Sequence, residues 1–144
     1  MATVSHGLPP TTAQLLEQAG TAQLWWGMIA AFLADEYRAK KTVRWLSDLQ
    51  AWGQTCVTGS AVLVHIVPGA DIVKVFIPFS VSAIKRGIAN ASLLDGPARD
   101  SFNDYLAEAD TMPTVRVASE SDVDTVIRLV SLAHPRKGHP CGSV

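Results

Sequence analysis

Three side chains near the carboxyl end of the chain have the chemistry of zinc ligands. His134, His139 and Cys141 lie within eight residues of one another, and zinc is commonly bound by imidazole nitrogen and thiolate sulfur. A structural zinc site needs four ligands, and this spacing matches no standard pair-and-pair pattern. His6 could supply a fourth ligand only if the chain ends meet. We therefore predict no metal site and keep these three residues only as candidates.

His65 is the ionisable residue with the most apolar neighbours in the sequence. It lies in the run AVLVHIV, and Asp71 and Lys74 follow within ten residues. Buried beside either charge, an imidazole could titrate near neutral pH and relay a proton. The commoner case is a structural histidine whose ring is hydrogen-bonded in a core or interface.

No catalytic motif is recognisable. The sequence has no Gly-rich phosphate loop, no protease-type pair of zinc-binding histidines and no nucleophile elbow. Cys56 has no evident base beside it in sequence. Asp104 and Glu108 fall on the solvent side of a predicted helix and suggest no acid/base pair. These observations predict a protein that is not an enzyme and needs no cofactor.

The longest apolar stretch runs from Val57 to Ile84 and is interrupted by Pro68-Gly69. Its hydropathy reaches the level of a membrane-span candidate. However, each arm beside the Pro-Gly turn is too short to cross a bilayer as a helix, which needs about 20 residues. Basic residues flank both ends, as expected for a hairpin whose ends lie on one side of a membrane. If the arms are strands, both faces are nearly all apolar and need cover.

The segments around this stretch favour helices. Thr11 and Gln14 form a capping-box pattern ahead of a helix from about Thr12 to Glu17, and LWWGMIAAFL, residues 24–33, is apolar on every side. Residues 34–52 repeat Trp and Leu at helical spacing, with Gly53 as a C-cap. Further helices are expected over residues 85–94 and 97–109. Residues 114–117 predict a short strand, and Ser119 or Ser121 caps a last helix to about Ala133.

Composition bounds the class of protein. The 144 residues are 48% hydrophobic and 17% charged, with a net charge of -1, against about 25% charged in an average soluble domain. The mean hydropathy of +0.19 indicates that part of the protein surface is covered by something other than water. The near-neutral charge gives no reason to expect nucleic acid as a partner. The amino-terminal sequence has no secretory signal pattern.

We predict a single domain over residues 1–144 with irregular tails at 1–10 and 134–144. The expected fold is mainly α: an irregular helical domain around one central apolar hairpin or kinked membrane-associated segment. The alternative is an α+β domain with a Pro-Gly β-hairpin.

The predicted function is a non-catalytic accessory or structural subunit of a larger membrane-bound assembly, with an energy-transducing complex of an organellar inner membrane, such as that of the mitochondrion, as the guessed host. Other protein subunits, and membrane lipid, are the expected partners. The alternative is a free soluble domain, helical or α+β, that binds a protein or a small ligand. Residues expected to contact lipid or a partner are Trp25, Trp26, Lys40, Lys41, His65, Phe76 and Phe79.

Overall fold

A computed structural model describes residues 8–47, 49–59, 61–80, 83–85, 88, 96, 99–100, 103 and 113–134. Two helices open the chain: α1, Thr12–Ala19, and α2, Gln23–Tyr37, with a single 3₁₀ turn, Gly20–Ala22, between them. Four strands follow: β1 (Lys40–Leu46), β2 (Ala51–Thr58), β3 (Ala61–Gly69) and β4 (Ile72–Phe76). After them come β5, Thr114–Val117, and a helix numbered α3, Glu120–Ala133.

The five strands form one antiparallel sheet in the order β1-β2-β3-β4-β5. The predicted mainly α fold is therefore wrong, and the α+β alternative fits the chain. The error lies mostly in residues 34–52, where α2 ends at Tyr37 and a hairpin of β1 and β2 replaces the expected helix. Trp45 lies directly opposite Trp52 across this hairpin, with ring centroids 5.8 Å apart in an edge-to-face arrangement.

Gly53 does not cap a helix, because it lies inside β2. A Cβ added there would lie 2.6 Å from the carbonyl oxygen of Ile66 in β3 and 2.9 Å from Cδ1 of Leu46. The glycine therefore allows the β2 and β3 backbones to approach where a larger residue would separate them.

The apolar stretch is the β3–β4 hairpin, but its turn is two residues later than Pro68-Gly69. Pro68 pairs with Val73 and Gly69 with Ile72, so the connection is Ala70-Asp71, with Asp71 at φ +61°. Proline is tolerated in β3 because the ladder with β2 ends at Ile66. The backbone of Pro68 therefore lies beyond the part of the strand that is paired on both sides.

One face of the sheet is covered by the helices. Alternation along the strands and the cross-strand register place Cys56, Val64, Ile66, Val73 and Val75 on this face, and all five are fully buried. We call it the helix-covered face. The side chains that pack there from the helices include Leu15, Ala19, Trp26, Ile29, Leu33, Val123, Val126, Leu129 and Val130.

Local capping explains where the outer helices begin. The Thr11 hydroxyl accepts from the backbone N–H of Gln14, whose side chain accepts from the N–H of Thr11, which confirms the predicted capping box. Ser119 accepts from the N–H of Asp122 at the start of α3, with Glu120 and Asp122 in its first turn. The predicted strand at residues 114–117 is confirmed as β5. Most of the helix expected over residues 97–109, most of that expected over 85–94, and the ends of both predicted tails lie outside the described residues.

Candidate functional site

Trp26 occupies the core rather than the surface. Its side chain is 2% exposed, and its indole N–H donates to Oε1 of Gln54 in β2 over 3.1 Å. The hydrogen bond satisfies a buried amide oxygen that would otherwise lose its water without replacement. Trp26 is therefore a core residue. Trp25, next to it, is half-buried at the margin of the same core.

Of the two charges considered for a proton relay with His65, Asp71 lies in the β3–β4 turn, and Lys74 lies on the same face as His65, at the next pair of that face in the β3–β4 ladder. The Nδ1 of His65 is 2.9 Å from the hydroxyl oxygen of Thr55 on the neighbouring strand. Asp71 accepts instead from Thr21, and Lys74 is paired in register with Val67 and Arg116. The hydrogen bond to Thr55 is typical of a structural histidine.

The other predicted contact residues fall in separate places. Lys40 and Lys41 are exposed on β1, at one edge of the sheet. Phe76 is half-buried on the face opposite the helices, and Phe79, beyond β4, is half-buried against the core. The structure thus brings together the two lysines but not a single contact surface from all seven residues.

The zinc candidates cannot be compared as a cluster, since His139 and Cys141 lie outside the described residues. His134 is the residue after α3, and its carbonyl oxygen accepts a 2.6 Å hydrogen bond from the Tyr37 hydroxyl at the end of α2. Within the described ranges, no group of three His, Cys, Asp or Glu side chains is arranged to hold a metal ion.

Cys56 is buried on the helix-covered face at the centre of β2. Burial raises the pKa of its thiol to about 11, and the Lys41 ammonium opposes part of this rise. At neutral pH the side chain is therefore a protonated, apolar-like core group rather than a nucleophile, because the thiolate is the reactive form.

The outer side of α2 is the most distinctive apolar surface among the described residues. Leu24 is 62% exposed and Met28 is 36% exposed, one turn apart, and Gly27 and Ala31 are exposed beside them. No charged residue occurs in α2 before Asp35. We call these four residues the α2 outer face. The helix is apolar on both sides, whereas a helix that only covers a core normally turns polar side chains to water.

Among the described residues, no contact of Gly27 requires a glycine. Gly27 lies in the middle of α2 without a positive φ, and a Cβ added there would meet no atom within 4 Å. Glycine at such a position costs about 1 kcal/mol relative to alanine. Close approach of another backbone is one physical reason to keep a glycine there.

No protein-family model matches this chain, and no curated protein or solved structure shows significant similarity to it. Function therefore has to be argued from the geometry. Among the helices that the structure describes, none combines the length and the apolar character needed to cross a membrane.

The prediction of lipid cover rests on the apolar character of residues 57–84. The structure encloses much of that segment with its own chain: Leu63, Val64, Ile66, Val73, Val75 and Ile77 are fully buried. The apolar surface that most clearly lacks cover is on α2, which lies outside that segment. The all-apolar run of residues 24–33 is visible in the sequence, whereas the prediction places the uncovered apolar surface on the hairpin.

Proposed function

We propose that the protein is a non-catalytic accessory subunit that docks onto a partner protein through the α2 outer face. The observation that carries this proposal is the exposure of Leu24 and Met28 around Gly27, on a helix whose opposite side fills the core. Burying a large apolar side chain that is otherwise exposed contributes about 1.5–3 kcal/mol. A partner that covers both side chains thus gains binding free energy without disturbing the fold.

The partner surface is most simply an apolar helix. Small residues at positions 27 and 31 form a shallow groove between larger neighbours, and the distance between two packed helices depends on the side chains at their contact. Leu24 and Met28, four residues apart, form the ridge beside this groove. Such a surface selects a helix that offers its own apolar ridge at the same spacing.

The size of the surface limits the affinity that it can provide alone. The 15 residues of α2 span about 22 Å, so a strip about 10 Å wide covers roughly 220 Å² in projection. A stable interface buries about 800 Å² on each partner. Docking through α2 therefore requires further contacts elsewhere, as in a subunit held by several neighbours. A membrane-bound or organellar host remains a prediction that rests on composition alone.

The test uses the full-length protein, tagged and isolated under native conditions from its own source, with identification of the chains that co-purify in a fixed ratio. Leu24→Glu places a charge in the centre of the surface, and Gly27→Leu fills the groove. Both positions are exposed, so circular dichroism and thermal unfolding should show an intact fold. Ala13→Glu is the matched control, because it adds the same charge at an exposed position on α1.

We expect the wild type and Ala13→Glu to retain the same partner and both α2 variants to lose it. The proposal is overturned if the native protein isolates as a monodisperse monomer. It is equally overturned if folded Leu24→Glu and Gly27→Leu proteins keep the partner at the wild-type ratio. A monomer would instead favour the alternative of a free α+β domain.

A further inference from the structure

β1 forms one edge of the sheet. It has seven residues and pairs with β2 on one side, and no strand in the described part of the chain pairs with its other side. A strand of this length spans about 23 Å. Its outward backbone N–H and C=O groups are a template on which another extended segment can add. β5, the other edge strand, has only four residues.

This edge carries a concentrated positive charge. Arg38, Lys40, Lys41 and Arg44 lie within seven residues, and no acidic residue occurs between Arg38 and Ser47. All four side chains are exposed. The ion pair found among the described residues, Arg128 with Asp124, lies on α3. The β1 cations therefore have no acidic partner in that part of the chain, although the whole protein has a net charge of -1.

The positive charge of β1 determines which kind of strand can pair with its outer edge. Two copies of β1 would crowd the cations of both strands along one seam, where like charges repel and weaken the strand pair, and edge lysines are a known device against such self-association. An acidic strand meets the opposite situation, since each carboxylate can lie across from a cation. The same side chains that exclude a second copy favour an acidic partner.

The register specifies the partner further. Lys41, Val43 and Trp45 point to the helix-covered side, because they lie opposite Cys56, Gln54 and Trp52 in β2. Lys40 and Arg44 point to the other side. In an antiparallel partner, the residues opposite Trp45 and Val43 would be apolar. Those opposite Arg44, Lys41 and Lys40 would be acidic, and the residue opposite Thr42 could be of any type.

We propose that β1 is a docking site for an acidic extended segment of another protein, which adds to the sheet as a sixth strand with this alternation. The half-buried Val43 and the Trp45–Trp52 pair supply apolar contact on one side of the added strand. The cations supply charge complementarity on both sides. This site is separate from the α2 outer face and does not depend on the function proposed for it.

The probe is a fluorescein-labelled synthetic peptide containing Val-Glu-Ile-Thr-Glu-Glu, titrated with the full-length protein and followed by fluorescence anisotropy. Three comparison probes separate the contributions: the same peptide N-methylated at alternate residues, a peptide with lysine in place of glutamate, and a DNA duplex as a competitor. Hydrogen exchange of the β1 amides gives an independent readout of strand addition.

Two charge-reversal proteins test the position of the site. The double variant Lys40→Glu/Arg44→Glu should weaken peptide binding at least about tenfold at low salt, because each change replaces an attraction with a repulsion. Arg116→Glu is the matched control: it reverses an exposed cation on β5, at the far edge of the sheet, and should change binding less than about threefold. Leu24→Glu should bind the peptide as the wild type does.

The expected result is binding of the acidic peptide with slower exchange of β1 amides, and little binding of the N-methylated or lysine peptide. No binding of the acidic peptide overturns the proposal. Equal binding of the N-methylated peptide overturns strand addition. Competition by DNA at the same charge concentration identifies a general polyanion surface instead and also overturns it.

Discussion

The Asp71 side chain fastens the amino-terminal helices to the β3–β4 hairpin. Its Oδ1 accepts from the backbone N–H of Thr21 over 3.0 Å and from the Thr21 hydroxyl over 3.2 Å. Thr21 lies in the 3₁₀ turn between α1 and α2. The carboxylate thus satisfies a backbone donor at a helix start, as an N-cap does, but from a residue 50 positions away. We expect its removal to lower the free energy of unfolding.

Two contributions can be separated by the choice of substitution. Loss of a capping acceptor costs about 1 kcal/mol, within a range of about 0.5–2. Asp71 also has φ +61°, where alanine is disfavoured by about 1–2 kcal/mol. Asp71→Ala removes the acceptor and also places alanine at this positive φ, which together should lower the free energy of unfolding by about 2–3 kcal/mol. Asp71→Gly loses only the acceptor, about 1 kcal/mol, and Asp71→Asn keeps an acceptor oxygen and tolerates this φ.

Urea denaturation followed by tryptophan fluorescence measures the three variants beside the wild type at neutral pH. The expected order of stability is wild type, then Asn, Gly and Ala, with an unchanged dependence on urea concentration. If Asp71→Ala is as stable as Asp71→Asn, neither the acceptor nor the backbone argument holds. If Asp71→Gly exceeds the wild type, the hydrogen bonds to Thr21 contribute nothing to the fold.

Three further predictions use the same denaturation assay. Gly20→Ala should cost more than about 3 kcal/mol, because Gly20 has φ +59° and an added Cβ would overlap the Asp71 carboxylate; in an Asp71→Gly background only the backbone part of this cost should remain. Trp26→Phe should cost about 2 kcal/mol by removing the donor to the buried Gln54 oxygen, and a smaller loss would show that another group or water replaces it. The pKa of the Cys56 thiol is 9.0 in the unfolded chain and about 11 in the folded protein. The contribution of the buried neutral thiol to the free energy of unfolding is therefore intact below pH 9 and is lost as the pH rises from about 9 to about 11. Relative to Cys56→Ala, the wild type should lose about 2–3 kcal/mol from pH 8 to 11, and parallel pH curves for the two proteins would contradict this.

Features held by local hydrogen bonds could be predicted from the sequence. The Thr11 capping box and the Ser119 cap lie where the pattern placed them. Each depends on residues within a few positions, such as a hydroxyl three residues before the amide that it accepts from. No distant part of the chain has to be known for these assignments.

The β1–β2 hairpin could not be recognised in this way. Its connection, residues 47–50, contains no glycine or proline, and the position at φ +51° is filled by Gln50 rather than by the Gly or Asn that usually adopts a positive φ. Trp45 and Trp52 are seven residues apart, which suits two turns of a helix as well as a direct cross-strand pair. The β-branched Thr42, Val43 and Thr55 favoured strands, but only the pairing with β3 makes that preference decisive.

The main error concerned which apolar surface lacks cover. Hydropathy adds up side chains along the chain, whereas burial depends on how the strands share their faces. The β3–β4 hairpin has a neighbouring strand at each edge and helices over one face. Residues such as Ile66 and Val75 are therefore buried within the chain itself, without a partner protein. Helix α2 lies outside the sheet and has only one side to bury, so its second apolar side, with Leu24 and Met28, stays exposed. The surplus apolar surface that composition detects is therefore best sought on the outer helix, and the docking experiment is designed for that surface.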